Sequence, residues 1–81
     1  MTDRTIREIA REIRKDWSPV NFGAVPYLEA MLQLEKISDP YYADSGESVV
    51  RYFLSNATSW RGETARRIKT ELKDMLKKVR A

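Results

Sequence analysis

Apolar residues recur along the chain at three- and four-residue spacing, in four blocks separated by proline, glycine and short polar stretches. In the first block Ile6, Ile9, Ala10 and Ile13 fall on one arc of about 100°, at about 100° per residue, and Trp17 continues it. The spacing predicts an amphipathic helix over residues 3–15. Thr2 or Asp3 is placed to cap its start, and Ser18-Pro19 ends it because the residue before proline avoids the helical region.

The second block predicts a helix over 24–35, with Pro26 acceptable in a first turn, where an N–H has no intrahelical partner. Ala24, Tyr27, Leu28, Ala30, Met31, Leu32 and Leu34 spread over about 200° of the helical wheel, far more than a surface helix needs. Such a helix either lies at the centre of the fold or turns one apolar flank to a second molecule.

In the stretch that follows, Asp39-Pro40 reads as a cap with a short helical turn, and Asp44 with Glu47 matches a capping box. That box opens a third helix over 46–57, with Val49, Val50, Phe53, Leu54 and Ala57 at helical spacing. Ser59 is a cap for a fourth helix over 60–80, whose stripe is Ala65, Ile68, Leu72, Met75, Leu76 and Val79. Glu63 with Arg67 and Asp74 with Lys78 add acid-first i,i+4 pairs worth about 0.2 to 0.5 kcal/mol each. The short connection predicts that the third and fourth helices are neighbours in a hairpin. The expected fold is all-α, a compact four-helix domain spanning residues 1–81, with the second helix near the centre and the fourth the longest outer element.

Composition narrows the chemistry more than the fold. At 81 residues and 42% hydrophobic the chain builds one core, which at this size supplies about 3 to 5 kcal/mol without staples. Self-association is an expectation from that alone. There is no cysteine and no histidine, which removes disulfides, thiolate metal sites, catalytic triads and imidazole switches. Asp39, Asp44 and Glu47 lie close in sequence but lack the spacing of a calcium loop, and capping accounts for them equally well. The reading is therefore a non-enzymatic protein with no catalytic residue, cofactor or metal. Met1 to Lys15 carries no signal-peptide core and no 18 apolar residues run together, so a cytoplasmic protein without a membrane span is expected.

The net charge of +3 hides an uneven distribution. Residues 1–15 carry a net +2, residues 16–60 a net −4 and residues 61–81 a net +5. On the fourth helix Arg66, Lys69, Lys73, Lys77 and Arg80 fall within about 80° of one another. On the first, Arg4, Arg7, Arg11 and Arg14 form a basic ridge beside the isoleucines. If the two ridges share a face they form a phosphate-binding strip for nucleic acid. A single basic helix also lines such a backbone; the simpler reading is a solvated or partner-binding face, and the acidic line Glu8, Glu12 and Asp16 beside the first ridge favours it. Zinc-finger spacing, ribonucleoprotein aromatics and a Walker glycine loop are all absent.

Tyr41, Tyr42, Tyr52 and Trp60, with Arg61 beside it, are left over once the four stripes are assigned, as is Phe22. Aromatic residues of this kind bring large contact area with a polar end, and together they make a candidate protein-interaction set. Finally, Asn21-Phe22-Gly23-Ala24-Val25-Pro26-Tyr27-Leu28-Glu29-Ala30-Met31, Tyr52-Phe53-Leu54-Ser55-Asn56-Ala57 and Trp60-Arg61-Gly62 resemble a family of short uncharacterised proteins of Gram-positive bacteria and their phages or mobile elements. The resemblance covers nearly the whole chain. It implies a small intracellular protein that regulates or inhibits by binding, and it carries no site residues.

Overall fold

The structure, a computed structural model, describes residues 4–41 and 44–80, without the side chains of Tyr41, Val79 and Arg80. Its elements in chain order are α1 (Ile6–Asp16), a 3-10 turn (Phe22–Ala24), α2 (Val25–Met31), the two-residue strands β1 (Pro40–Tyr41) and β2 (Asp44–Ser45), α3 (Gly46–Ser55) and α4 (Glu63–Arg80). Four helices and almost no strand make this an all-α domain, as the apolar spacing predicts.

The helix starts differ from expectation, each for an identifiable reason. Thr2 and Asp3 lie outside the described residues, and the cap of α1 is Thr5. Its hydroxyl accepts from the Glu8 N–H at 3.1 Å, while the Glu8 carboxylate accepts from the Thr5 N–H at 2.8 Å. This reciprocal box satisfies two polar groups at once. The next two N–H groups are satisfied from far along the chain: Ile6 donates to the Glu35 carbonyl and Arg7 to the Leu34 carbonyl, both at 2.9 Å.

That long-range capping explains why α2 stops at Met31 rather than running to residue 35. Gln33 and Leu34 donate back to Ala30 and Met31 in a tightened last turn, and the chain then swings across the start of α1 with Leu34 buried. Asp39 caps no following turn. Its carboxylate accepts from the backbone N–H groups of Glu35 and Lys36, and Pro40–Tyr41 pairs antiparallel with Asp44–Ser45. Nor does Asp44 cap α3. Ser45 does, accepting from the Ser48 N–H at 3.2 Å, while Glu47 pairs with Arg51 at 2.6 Å. The approach of the loop demands Gly46: its N–H donates to Asp39 at 2.7 Å, and a Cβ there would stand 2.6 Å from the Ile37 carbonyl oxygen. Finally, α4 opens at Glu63, three residues later than expected, after Gly62 reverses the chain at φ +116°. Ser59 is exposed and outside that helix.

α1 packs against α2 and α4, and α3 packs against the same two helices. Ile6, Ile9 and Ile13 meet Met31, Leu34, Val50, Phe53, Ile68 and Leu72 in the shared core, and no polar residue is buried among those described. The radius of gyration of 11.6 Å matches the value of about 11.7 Å expected for a compact domain of this length. α2 is central on one side only. Leu28, Ala30 and Met31 are buried, whereas Val25, Tyr27 and Leu32 are half-buried and Pro26 and Glu29 are exposed.

Candidate interaction surfaces

The seam between α1 and α4 is closed by charge. Arg4 pairs with Glu12 and with Glu71, each at 2.7 Å, and Arg67 pairs with the other oxygen of Glu12. The Glu71 hydrogen bond, with Glu12 behind it, holds the Arg4 guanidinium more firmly protonated than usual. In return the bonds from Arg4 and then Arg67 hold the Glu12 carboxyl below its ordinary value. The Thr5 N–H does the same for Glu8. Arg4 is thus a tie between helices and not a free member of a basic ridge.

This seam fixes the rotation of both helices and separates the two ridges. Glu12 and Asp16 lie on the flank of α1 that meets Arg67 and the Trp60 indole. Arg7, Arg11 and Arg14 occupy the opposite flank by helical phase, and Arg7 donates to the Leu32 carbonyl at the end of α2. On α4, Arg67 and Glu71 face α1, which turns Arg66, Lys69, Lys73 and Lys77 to the far flank. The two ridges therefore do not form one strip. Arg80 shares the phase of the α4 ridge, and its side chain lies outside the described residues.

The aromatic candidates also part company. Trp60 is buried at 3% exposure: its ring stacks on Trp17 with centroids 5.6 Å apart, Phe53 meets it edge-on, and its indole N–H donates to Asp16 at 2.9 Å. It holds the fold together and presents nothing to a partner, a correction to its place in the candidate set. Arg61 beside it is exposed. Tyr52 is 52% exposed and stacked on Tyr27 at 5.5 Å, so these two rings form a paired surface feature between α2 and α3. Tyr42 lies outside the described residues, as does the side chain of Tyr41.

The most conspicuous surface residue is Phe22, at 89% exposure on the 3-10 turn that leads into α2. The turn is pinned from below, since the Asn21 amide donates to the Asn56 carbonyl at 3.2 Å. Nearby in the chain, Val20 and Val25 join Leu28 and Leu32 in lining an open groove of about 180 Å³, with Arg14 and Glu29 as its polar members. Of these groove residues only Arg14 belongs to the candidate sets above. Part of the signal was the apolar arc of the second helix, wider than one core contact requires. Leu28 and Leu32 of that arc line the groove, and the core leaves Leu32 half-buried.

Among the described residues no group of three carboxylates is placed to hold a metal ion, and Asp39 and Glu47 are already engaged as described. No described helix is long and apolar enough to cross a membrane. In comparisons with known proteins, no family model matches the chain, and neither a curated protein nor a solved structure matches it.

Proposed function

We propose that this chain is a non-enzymatic protein-interaction module whose contact face is the surface formed by the 3-10 turn and α2. The observation that carries the reading is Phe22, a large apolar ring left 89% exposed on the turn that leads into α2. A lone exposed apolar residue needs no explanation, but Val20 and Val25, two and three residues from Phe22 in the chain, line an open groove with Leu28 and Leu32, and exposed apolar surface of this kind marks binding sites.

The partner this face fits first is a second copy of the chain. Arg14 and Glu29 bring opposite charges to the same groove, which makes it self-complementary. A two-fold axis through the face sets Phe22 into the partner's groove and Arg14 against the partner's Glu29, twice over. A stable interface takes about 600 to 1,000 Å² from each copy, and the chain exposes 5502 Å² in all. The resemblance to phage and mobile-element proteins adds the context: regulation or inhibition through binding, in the cytoplasm of a bacterium. Sedimentation equilibrium tests the reading. Dimer is expected for the native chain and monomer for Phe22→Asp with unchanged helix content; a native chain that stays monomeric at every attainable concentration contradicts it.

A further inference from the structure

The α4 flank that faces away from α1 carries a different signal. Arg66, Lys69, Lys73 and Lys77 follow one another at three- and four-residue steps, so they form a single row about 17 Å long on a rigid helix at about 1.5 Å per residue. Arg61 extends the row beyond the helix start. Lys69 is its fixed point: Nζ donates to the Trp60 carbonyl at 2.6 Å and stands 5.9 Å from the centre of the Trp60 ring. Partial burial, then the charges of Lys73 and Arg61, push the Lys69 ammonium below its ordinary value. Lys73 and Arg61 both therefore lie close enough to act on Lys69.

Among the described residues no carboxylate pairs with them. The described ion pairs use Glu12 and Glu71 on the α1 side and Glu47 with Arg51 on α3; none involves Arg61, Arg66, Lys69, Lys73 or Lys77. Glu63 and Asp74 belong to α4 but fall about 80° to 100° round the helix from the middle of the row. Like charges at i,i+4 repel, so Lys69, Lys73 and Lys77 weaken the helix unless an anion covers them.

We infer that this row is a binding site for the phosphodiester backbone of duplex nucleic acid. A duplex carries about one backbone charge per 1.7 Å of its axis, both strands counted, so a row of about 17 Å lies along a dense run of negative charge. An aromatic platform for stacked single-stranded bases is not part of the row, because Trp60 is buried. Backbone contact of this kind positions a protein without reading sequence. The site stands apart from the Phe22 face and does not depend on it.

Fluorescence anisotropy with a short labelled DNA duplex of arbitrary sequence, titrated across a range of salt, tests the inference. Five contacts predict that log affinity falls against log salt with a slope of about −4.5, and the double variant Lys73→Gln/Lys77→Gln reduces the slope to about −2.7. The double variant Arg11→Gln/Lys15→Gln removes the same net charge from α1, outside the groove, and leaves the slope unchanged. A duplex RNA run in parallel tells which duplex is the better source of the backbone, and binding to either supports the site. No binding at low salt overturns it, as does an equal loss from both double variants, which is the signature of net charge alone. Tighter binding to polyglutamate than to either duplex also overturns it, in favour of an acidic protein. Circular dichroism confirms that both variants keep their helix.

Discussion

Trp60 and Phe22 are both large aromatic residues in segments between helices, and they meet opposite fates. Trp60 is covered by Trp17 and Phe53 and held through its N–H by Asp16, so the end of the bundle where α1 finishes and α4 begins is closed. Phe22 stands in solvent on the turn before α2, although Asn21 beside it is tied to Asn56. Burial outside a helix therefore depends on which neighbours arrive, not on the residue type. At the end of α1 a second tryptophan and a carboxylate converge on the ring; at the start of α2 the ring stays exposed.

The sharpest way to break the comparison is to remove the covered ring. Trp60→Ala empties a site between Trp17 and Phe53, and a loss of about 3 to 5 kcal/mol is expected in urea unfolding. Trp60→Phe keeps most of the packing and deletes only the hydrogen bond to Asp16, for which about 1 kcal/mol is expected in the same assay.

The charged seam beside that closed end is expected to cost a similar amount. Glu12→Gln weakens the ties to Arg4 and Arg67 and lowers stability by about 1 kcal/mol at neutral pH, since these pairs are partly exposed. The folded state holds the Glu12 and Glu8 carboxyls below their ordinary 4.5. The stability they contribute is therefore complete above that value and is lost as pH falls through the lower folded-state values. The native chain should lose stability as the pH drops below 4.5, and Glu12→Gln should do so less steeply, a difference read from thermal unfolding between pH 7 and pH 2.5.

The smallest expected effect belongs to the exposed ring. Phe22→Ala shifts the unfolding free energy by no more than about 0.5 kcal/mol when measured on dilute monomer. A large loss there would mean that Phe22 is a structural residue like Trp60 and that the two ends are alike.

Much of the fold is legible in the pattern of apolar residues. The isoleucines of α1, the Val49-Val50-Phe53 face of α3 and the stripe from Ala65 to Leu76 all go where their spacing sends them. The Thr5 cap was also readable, since Thr5-x-x-Glu8 is a capping box as plain as the one expected at Asp44 and Glu47. The end of α2 was not, because it is set by the carbonyls of Leu34 and Glu35 reaching the start of α1. Nor was the separation of the basic ridges. Each ridge follows from one helix, but their relation depends on how the helices rotate against each other, which Glu12 decides by meeting Arg4 and Arg67. The groove lies between these cases: the excess apolar arc of the second helix was visible, and only the packing of three helices tells which part of it stays open.

The central claim is that the Phe22 face is the contact surface, and amide chemical shifts followed as the protein is diluted test it most directly. The account predicts concentration-dependent shifts that cluster at Arg14, Phe22, Val25, Glu29 and Leu32, with the α4 row from Arg66 to Lys77 unchanged. Shifts confined to α4, or none at any concentration, would contradict it.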